Sequence, residues 1–177
     1  MHLNYMGYEQ QYQLRDAGGN IVWQGNAIIG TALLIESTEA SATISSGGAV
    51  IMDSTNTVLG RDQNPGTSDP DVNRLCGLQV AAAASVSFLG VATGNIPAGK
   101  RGVVAGTGSL CAVRTTAVGV VIGFGVIGSA TVGLCATGGA KAAGVPAQGT
   151  MLGLCVKGGA LIGSSGFWTC GVLVNQQ

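Results

Sequence analysis

The sequence is short of charge. Asp, Glu, Lys and Arg together make up 9% of its 177 residues, where a soluble domain ordinarily carries about 25%. A chain so poor in charge and 46% hydrophobic is not a disordered acidic or basic tail, which needs the opposite balance. Proline occurs four times, and the 31 glycines show no Gly-X-Y period, which excludes collagen. Glycine at this density also argues against a helical protein, since each one costs a helix interior about 1 kcal/mol relative to alanine. Histidine occurs once, as His2. A Ser-His-Asp or Cys-His pair would have to be built on that terminal residue, whereas such pairs need rigid support.

A second absence is local. All eight acids (Glu9, Asp16, Glu36, Glu39, Asp53, Asp62, Asp69 and Asp71) precede residue 72. The rest of the chain holds Arg74, Lys100, Arg101, Arg114, Lys141 and Lys157 and no carboxylate side chain. The net charge of zero therefore conceals an acidic first part and a basic second part. A stretch without Asp or Glu supplies neither paired carboxylates for acid–base chemistry nor the oxygen ligands that calcium prefers. The expectation is a protein that is not an enzyme, with no catalytic residue, no cofactor and no metal site.

Cys76, Cys111, Cys135, Cys155 and Cys170 are widely spaced, unlike the close pairs of a zinc knuckle. They sit in apolar runs and no basic-then-apolar secretory segment precedes them, so buried reduced thiols in a reducing cytoplasm are expected.

What is present reads as strands. Gln11–Arg15 and Ile21–Gln24 flank Asp16-Ala-Gly-Gly-Asn20, a hairpin pattern around a turn able to take positive φ. Half of the aromatics, Tyr5, Tyr8, Tyr12 and Trp23, fall in this first segment. Met1–Glu9 is either an arm that packs its tyrosines on a neighbouring subunit or an edge strand of the same chain. Ala27–Ile35 is an apolar run, and Ala49–Met52 and Thr57–Leu59 flank Asp53-Ser-Thr-Asn56 as a second hairpin pattern. Ser37–Ser46 fits a short helix or a polar loop. Residues 61–71, with two prolines and three acids, are the clearest punctuation, and a boundary is expected there.

Beyond that boundary come short β-branched segments ending in glycine: 75–80, 85–91, 102–104, 109–113, 118–126, 131–135, 151–156 and 167–174. The expected fold is all-β, a small glycine-rich barrel or sandwich over 72–177, with an acidic arm and hairpin over 1–71. Gly133-Leu-Cys-Ala-Thr-Gly-Gly-Ala140 recurs as Gly153-Leu-Cys-Val-Lys-Gly-Gly-Ala160, two similar strand–turn units.

Two motifs have weak claims. Gly123-Phe-Gly-Val-Ile-Gly128 has the dinucleotide-binding spacing, but poor helix formers follow it and no acid lies downstream to hold a ribose. Thr115–Ala140 carries no charge and is long enough to span a bilayer, yet it is rich in glycine and valine, and low charge marks the whole second part. The expectation is no membrane span. The scattered basic residues form no nucleic-acid-binding stripe, so they are expected at solvent or at interfaces, with no nucleic-acid partner.

From Phe88 onward the chain carries Leu89-Gly-Val-Ala92, Asn95-Ile-Pro-Ala-Gly-Lys-Arg-Gly-Val-Val104 and Gly108-Ser-Leu-Cys-Ala-Val113, then Gly149-Thr-Met-Leu-Gly-Leu-Cys155 and Gly166-Phe-Trp-Thr-Cys-Gly-Val-Leu-Val174. This pattern, over residues 88–174, resembles the capsid-decoration (cement) proteins of tailed bacteriophages. The resemblance implies a non-enzymatic β-barrel, often a trimer, that binds the major capsid protein on the outside of the shell and stabilises it. Location on the virion surface, after assembly in the host bacterial cytoplasm, follows from the same resemblance. Segregated charge suits such contacts, because an acidic part of one subunit can face a basic part of its neighbour. Tyr5, Tyr8, Tyr12, Trp23, Lys100 and Arg101 are the candidate interface residues. Alternatives are another virion β-module (head fibre, tail or spike) contacting a host receptor, or a membrane-associated protein using 115–140.

Overall fold

A computed structural model describes residues 8–15, 19–58, 74–81, 87–116, 120–140, 151–161 and 168–174. Among them every regular element is a strand, as the glycine and β-branched content requires. In chain order these are β1 (Tyr8–Arg15), β2 (Ile21–Ile29), β3 (Ala32–Ser37), β4 (Ala49–Met52), β5 (Cys76–Gln79), β6 (Phe88–Ala92), β7 (Arg101–Ala105), β8 (Leu110–Thr115), β9 (Phe124–Gly128), β10 (Cys135–Ala140), β11 (Met151–Leu161) and β12 (Trp168–Val174). The fold is all-β.

The strands form two closed circuits. In the first barrel β3 runs parallel to β5 at Glu36↔Cys76, β5 pairs with β4, β4 with β6 and β6 with β7. β7 then returns antiparallel to β3, from Ala32↔Ala105 to Glu36↔Arg101. In the second, β8 runs parallel to β10 at the single pair Thr115↔Cys135, β10 pairs with β9, β9 with β11 and β11 with β12. β12 returns antiparallel to β8, from Leu110↔Leu173 to Thr115↔Trp168. The pairing order and strand directions of the two circuits are identical, so the chain is a tandem repeat of one five-stranded unit. Corresponding strands keep traces of it in sequence. Leu75-Cys76 leads into β5 and Leu134-Cys135 into β10; Leu89-Gly90 in β6 answers Leu152-Gly153 in β11; Gly102-Val-Val-Ala105 in β7 answers Gly171-Val-Leu-Val174 in β12.

Alternating side chains of the first barrel are buried on both faces. Val50, Ala92 and Val104 point inside it with Ile35, Ile44 and Ile96. Their neighbours Ala49, Val91 and Ala105 join Cys111, Val113, Val126, Leu152, Val172 and Val174 in a larger core shared with the second circuit. This is the period-2 pattern of a strand with apolar material on either side. The β1–β2 hairpin, registered from Tyr8↔Ile29 to Leu14↔Trp23, adds Leu14, Ala27 and Ile29 to that shared core and meets β8 at Ile28↔Leu110.

Several expectations change. The division expected at residue 71 falls inside the first barrel, whose strands β3 and β4 precede it and β5 to β7 follow it. The apolar run 27–35 is not one strand. It breaks at Gly30, where a Cβ would lie 2.6 Å from the Gly108 backbone as two segments cross closely. Asp53–Asn56 does not close a hairpin with the residues after it: β4 takes β5 and β6 as neighbours, and Val58 pairs with Arg74 instead. Ser37–Ser46 contains no helix; it is a loop pinned by the Ile44↔Ile96 pair. Gly123–Gly128 is the turn into β9 and β9 itself, with no helix opening after it. Among the described residues no helix is long and apolar enough to cross a membrane, and the stretch 115–140 contributes β9 and β10. The echoing segments at 133–140 and 153–160 lie on β10 and β11, the two neighbours that flank β9.

Gly90 shows why glycine is needed where the barrel strands cross closely. Its φ is +138°, and a Cβ there would collide with the carbonyl oxygen of Ala105. Gly90→Ala is expected to destabilise the protein by about 3 kcal/mol or more, through strain and displacement of β7. Urea denaturation monitored by tryptophan fluorescence measures the shift in midpoint.

Candidate functional site

The expected interface residues occupy two separate places. Tyr8 begins β1 and is half exposed, and Tyr12 lies mid-strand opposite Gly25. Trp23 is partly buried against the shared core, and its ring fills the space that a Cβ on Gly25 would take. Tyr5 lies outside the described residues. Lys100 and Arg101 belong to the first barrel, at the turn from β6 into β7. That turn is rigid: Ile96 is buried in the barrel, Gly99 takes φ +66°, and Asn95 Oδ1 accepts a 2.9 Å hydrogen bond from the Ser46 amide. The Lys100 side chain is exposed, while its carbonyl accepts from the Ser37 amide at 2.9 Å. Arg101 has a partner within the chain. Glu36 on β3 sits between Arg101 at 3.4 Å and Arg74 at 3.7 Å, beside a small cavity lined also by Leu34, Ile35 and Leu75. Two cations on one carboxylate leave this corner positive. Its exposed ion pairs contribute at most about 1 kcal/mol each.

Arg114 differs from the scattered solvent or interface charges expected of the basic residues. It is buried near the C-terminal end of β8. Its Nε donates to the Ser46 carbonyl at 2.7 Å, its Nη2 donates to the Arg15 carbonyl, and its backbone amide donates to Gly47 O at 2.9 Å. One side chain thus joins the hairpin, the first barrel and the second circuit. The signal in the sequence was a lone arginine inside an apolar strand, Leu-Cys-Ala-Val-Arg-Thr.

Beside it a polar cleft of about 270 Å³ opens between β1 and the β6–β7 turn, lined by Gln11, Gln13, Arg15, Ser46, Thr93, Gly94 and Asn95. Its floor is mostly self-satisfied: Arg15 Nη1 donates to Gly19 O at 2.6 Å, and Nη2 to Gln13 Oε1 at 2.9 Å. Its lining offers amides, hydroxyls and one guanidinium for hydrogen bonding.

Cys76, Cys111, Cys135 and Cys155 are buried thiols outside any disulfide. Burial pushes the Cys111 thiol up to about 12, and burial together with the neighbouring Cys111 raises Cys135 further. These thiols stay protonated at neutral pH and behave as small apolar side chains. Cys170 lies on β12. Among the described residues no three His, Cys, Asp or Glu side chains gather as a metal site.

Among the described residues Asp53 is the one buried carboxylate, and it has a full set of donors. Asn56 Nδ2 donates at 2.7 Å and Thr38 Oγ1 at 2.6 Å, with backbone amides from Thr55 at 3.0 Å and Asn56 at 3.3 Å. The hydrogen bonds from Asn56 and Thr38 hold its pKa below the usual carboxylate value. A depressed folded pKa means that its stabilising contribution is complete above the ordinary carboxylate range and is lost as pH falls through the folded value. Asp53→Ala is therefore expected to cost about 1–2 kcal/mol at pH 7. The gap to the parent should shrink as pH drops below about 4. Urea titrations across that range measure both.

Comparison of the chain with protein-family models, with curated proteins and with solved structures finds no match.

Proposed function

We propose that the protein is a virion structural component that binds the outer surface of a tailed-phage capsid and stabilises the shell through contacts between subunits. The observation that carries this is the glycine and valine pattern of residues 88–174, which resembles capsid-decoration proteins. Its segments fall, in chain order, on β6 (Leu89–Ala92), on the turn and β7 (Asn95–Val104), on the lead into β8 (Gly108–Val113) and, after β9 and β10, on β11 and β12. What supports a packing role over a chemical one is that, among the described residues, Arg114, Asp53 and Glu36 are engaged in structural contacts and four thiols are buried. The partners are the major capsid protein and copies of the chain itself, with a trimer as the form the resemblance favours.

Lys100 and Arg101 stand at the positive corner of the first barrel and provide the capsid contact; the segment before β1, with Tyr5, provides the contact to a neighbouring subunit. Purified protein added to expanded capsids should occupy the shell at many sites over its surface, measured by sedimentation and gel densitometry of the particles. Lys100→Glu combined with Arg101→Glu should reduce occupancy at least tenfold, and removal of Met1–Gly7, which leaves β1 whole, should weaken it further. Because Arg101 also pairs with Glu36, Lys100→Glu alone serves as the variant that leaves the ion pairs intact. Undiminished occupancy for all three refutes these contacts, and a few copies at one vertex would identify a fibre or tail module instead.

A further inference from the structure

Among the described residues β1 is the strand with one neighbour; every other strand has two or more. It is eight residues long, Tyr-Glu-Gln-Gln-Tyr-Gln-Leu-Arg, without proline or lysine. Its one irregularity is a register shift between Leu14 and Arg15 at its far end. Unpaired edges of this length are normally blunted by such residues or covered, because their free N–H and C=O groups recruit another strand. We propose that β1 recruits β1 of a second copy, the two strands pairing antiparallel about Tyr12 so that one sheet runs continuously across a molecular two-fold.

The strand is complementary to itself in that arrangement. Pairing about Tyr12 sets Glu9 opposite the second copy's Arg15, Gln11 opposite Gln13, and Gln10 opposite Leu14. Each pair joins residues on the same face of the pleat, so the faces of the two sheets match. Every other antiparallel register separates the two charges, and a parallel arrangement in register stacks Glu9 on Glu9 and Arg15 on Arg15, which is repulsive. Glu9 is exposed, and among the described residues its partner is Asn26, whose Nδ2 donates to Oε1 at 2.7 Å. Arg15 keeps donors to spare beyond those to Gly19 and Gln13. The cleft of about 270 Å³ flanked by Gln11, Gln13 and Arg15 lies on this same face, where Glu9 and Gln11 of the second copy arrive. A two-fold contact is isologous, so both charge pairs form at once. The surface is independent of the capsid proposal and is tested without capsids.

The full chain should show a concentration-dependent monomer–dimer equilibrium by analytical ultracentrifugation. Glu9→Arg and Arg15→Glu each place like charges at both ends of the contact, and each alone should weaken the dimer at least tenfold. Mixing the two variants restores opposite charges at both positions, so an equimolar mixture should recover dimers that neither variant forms by itself, a rescue that a folding defect cannot produce. A spin label introduced through Tyr12→Cys should report the short distance expected at the two-fold axis. A chain monomeric at every concentration overturns the proposal, and so does an oligomer indifferent to both charge variants or a mixture that fails to recover.

Discussion

The guanidinium of Arg114 is the contact on which the arrangement of the three parts depends. A buried cation without partners costs several kcal/mol, so a chain that places arginine in the middle of a core must bring acceptors to it. Here the acceptors are main-chain carbonyls of Ser46 in the first barrel and Arg15 at the end of the hairpin, while the Arg114 amide reaches Gly47. Arg15, the Ser46–Gly47 pair and Arg114 lie far apart in sequence. Satisfying one side chain therefore fixes how the hairpin, the loop before β4 and β8 lie against one another, with a directionality that apolar contacts lack. The same contact holds the end of β1 beside Thr93–Asn95 and so creates the cleft next to the open edge.

Around that polar pin the two repeated units meet through apolar faces. β4, β6 and the end of β7 bury one face inside the barrel and the other in the shared core, so positions that in a one-faced sheet would carry charge carry alanine and valine instead. The low charge of the chain follows from this double burial. Part of the glycine content has a similar origin: Gly30 lies close over Gly108, and Gly90 under the Ala105 carbonyl, where any side chain would push the backbones apart. Hydrophobic burial supplies the stabilisation, roughly 1.5–3 kcal/mol for each large side chain taken from water, while glycine lets the strands approach closely enough to use it.

Period and turn chemistry made the strand content legible: the hairpin around Asp16–Asn20, the turn at Asn95–Lys100 and most strands after residue 75 were visible as alternation bounded by glycine. The repeat was not. Equivalent strands share only short fragments such as Leu75-Cys76 and Leu134-Cys135, because what is conserved between the units is pairing order, and backbone pairing leaves little trace in side chains. The closer echo at 133–140 and 153–160 was easier to see and belongs to two flanks of β9. The boundary at residue 71 misled for a related reason. Prolines and acids punctuate a chain whether or not a domain ends there, and strands of one barrel lie on both sides of residue 71. For the site, Lys100 and Arg101 stand on a defined turn, but the cluster of Glu36 with Arg74 and Arg101 needed the β3–β5 and β3–β7 pairings, which join residues far apart in the chain.

A chain with so few charges makes each one informative. Those of the first barrel, around Glu36, answer one another across strands and leave a small positive excess at Lys100. Arg114 is spent on the interior, and Asp53 on its own turn. Glu9 and Arg15 lie toward opposite ends of the strand with the free edge, with three glutamines between them. Within one copy they are too far apart along β1 to neutralise each other, and across a two-fold they coincide. Neutrality overall and complementarity at an edge both remove the repulsion that ordinarily keeps soluble monomers apart, and in a protein built from surfaces buried on both sides the remaining open strand is where association has the least to overcome.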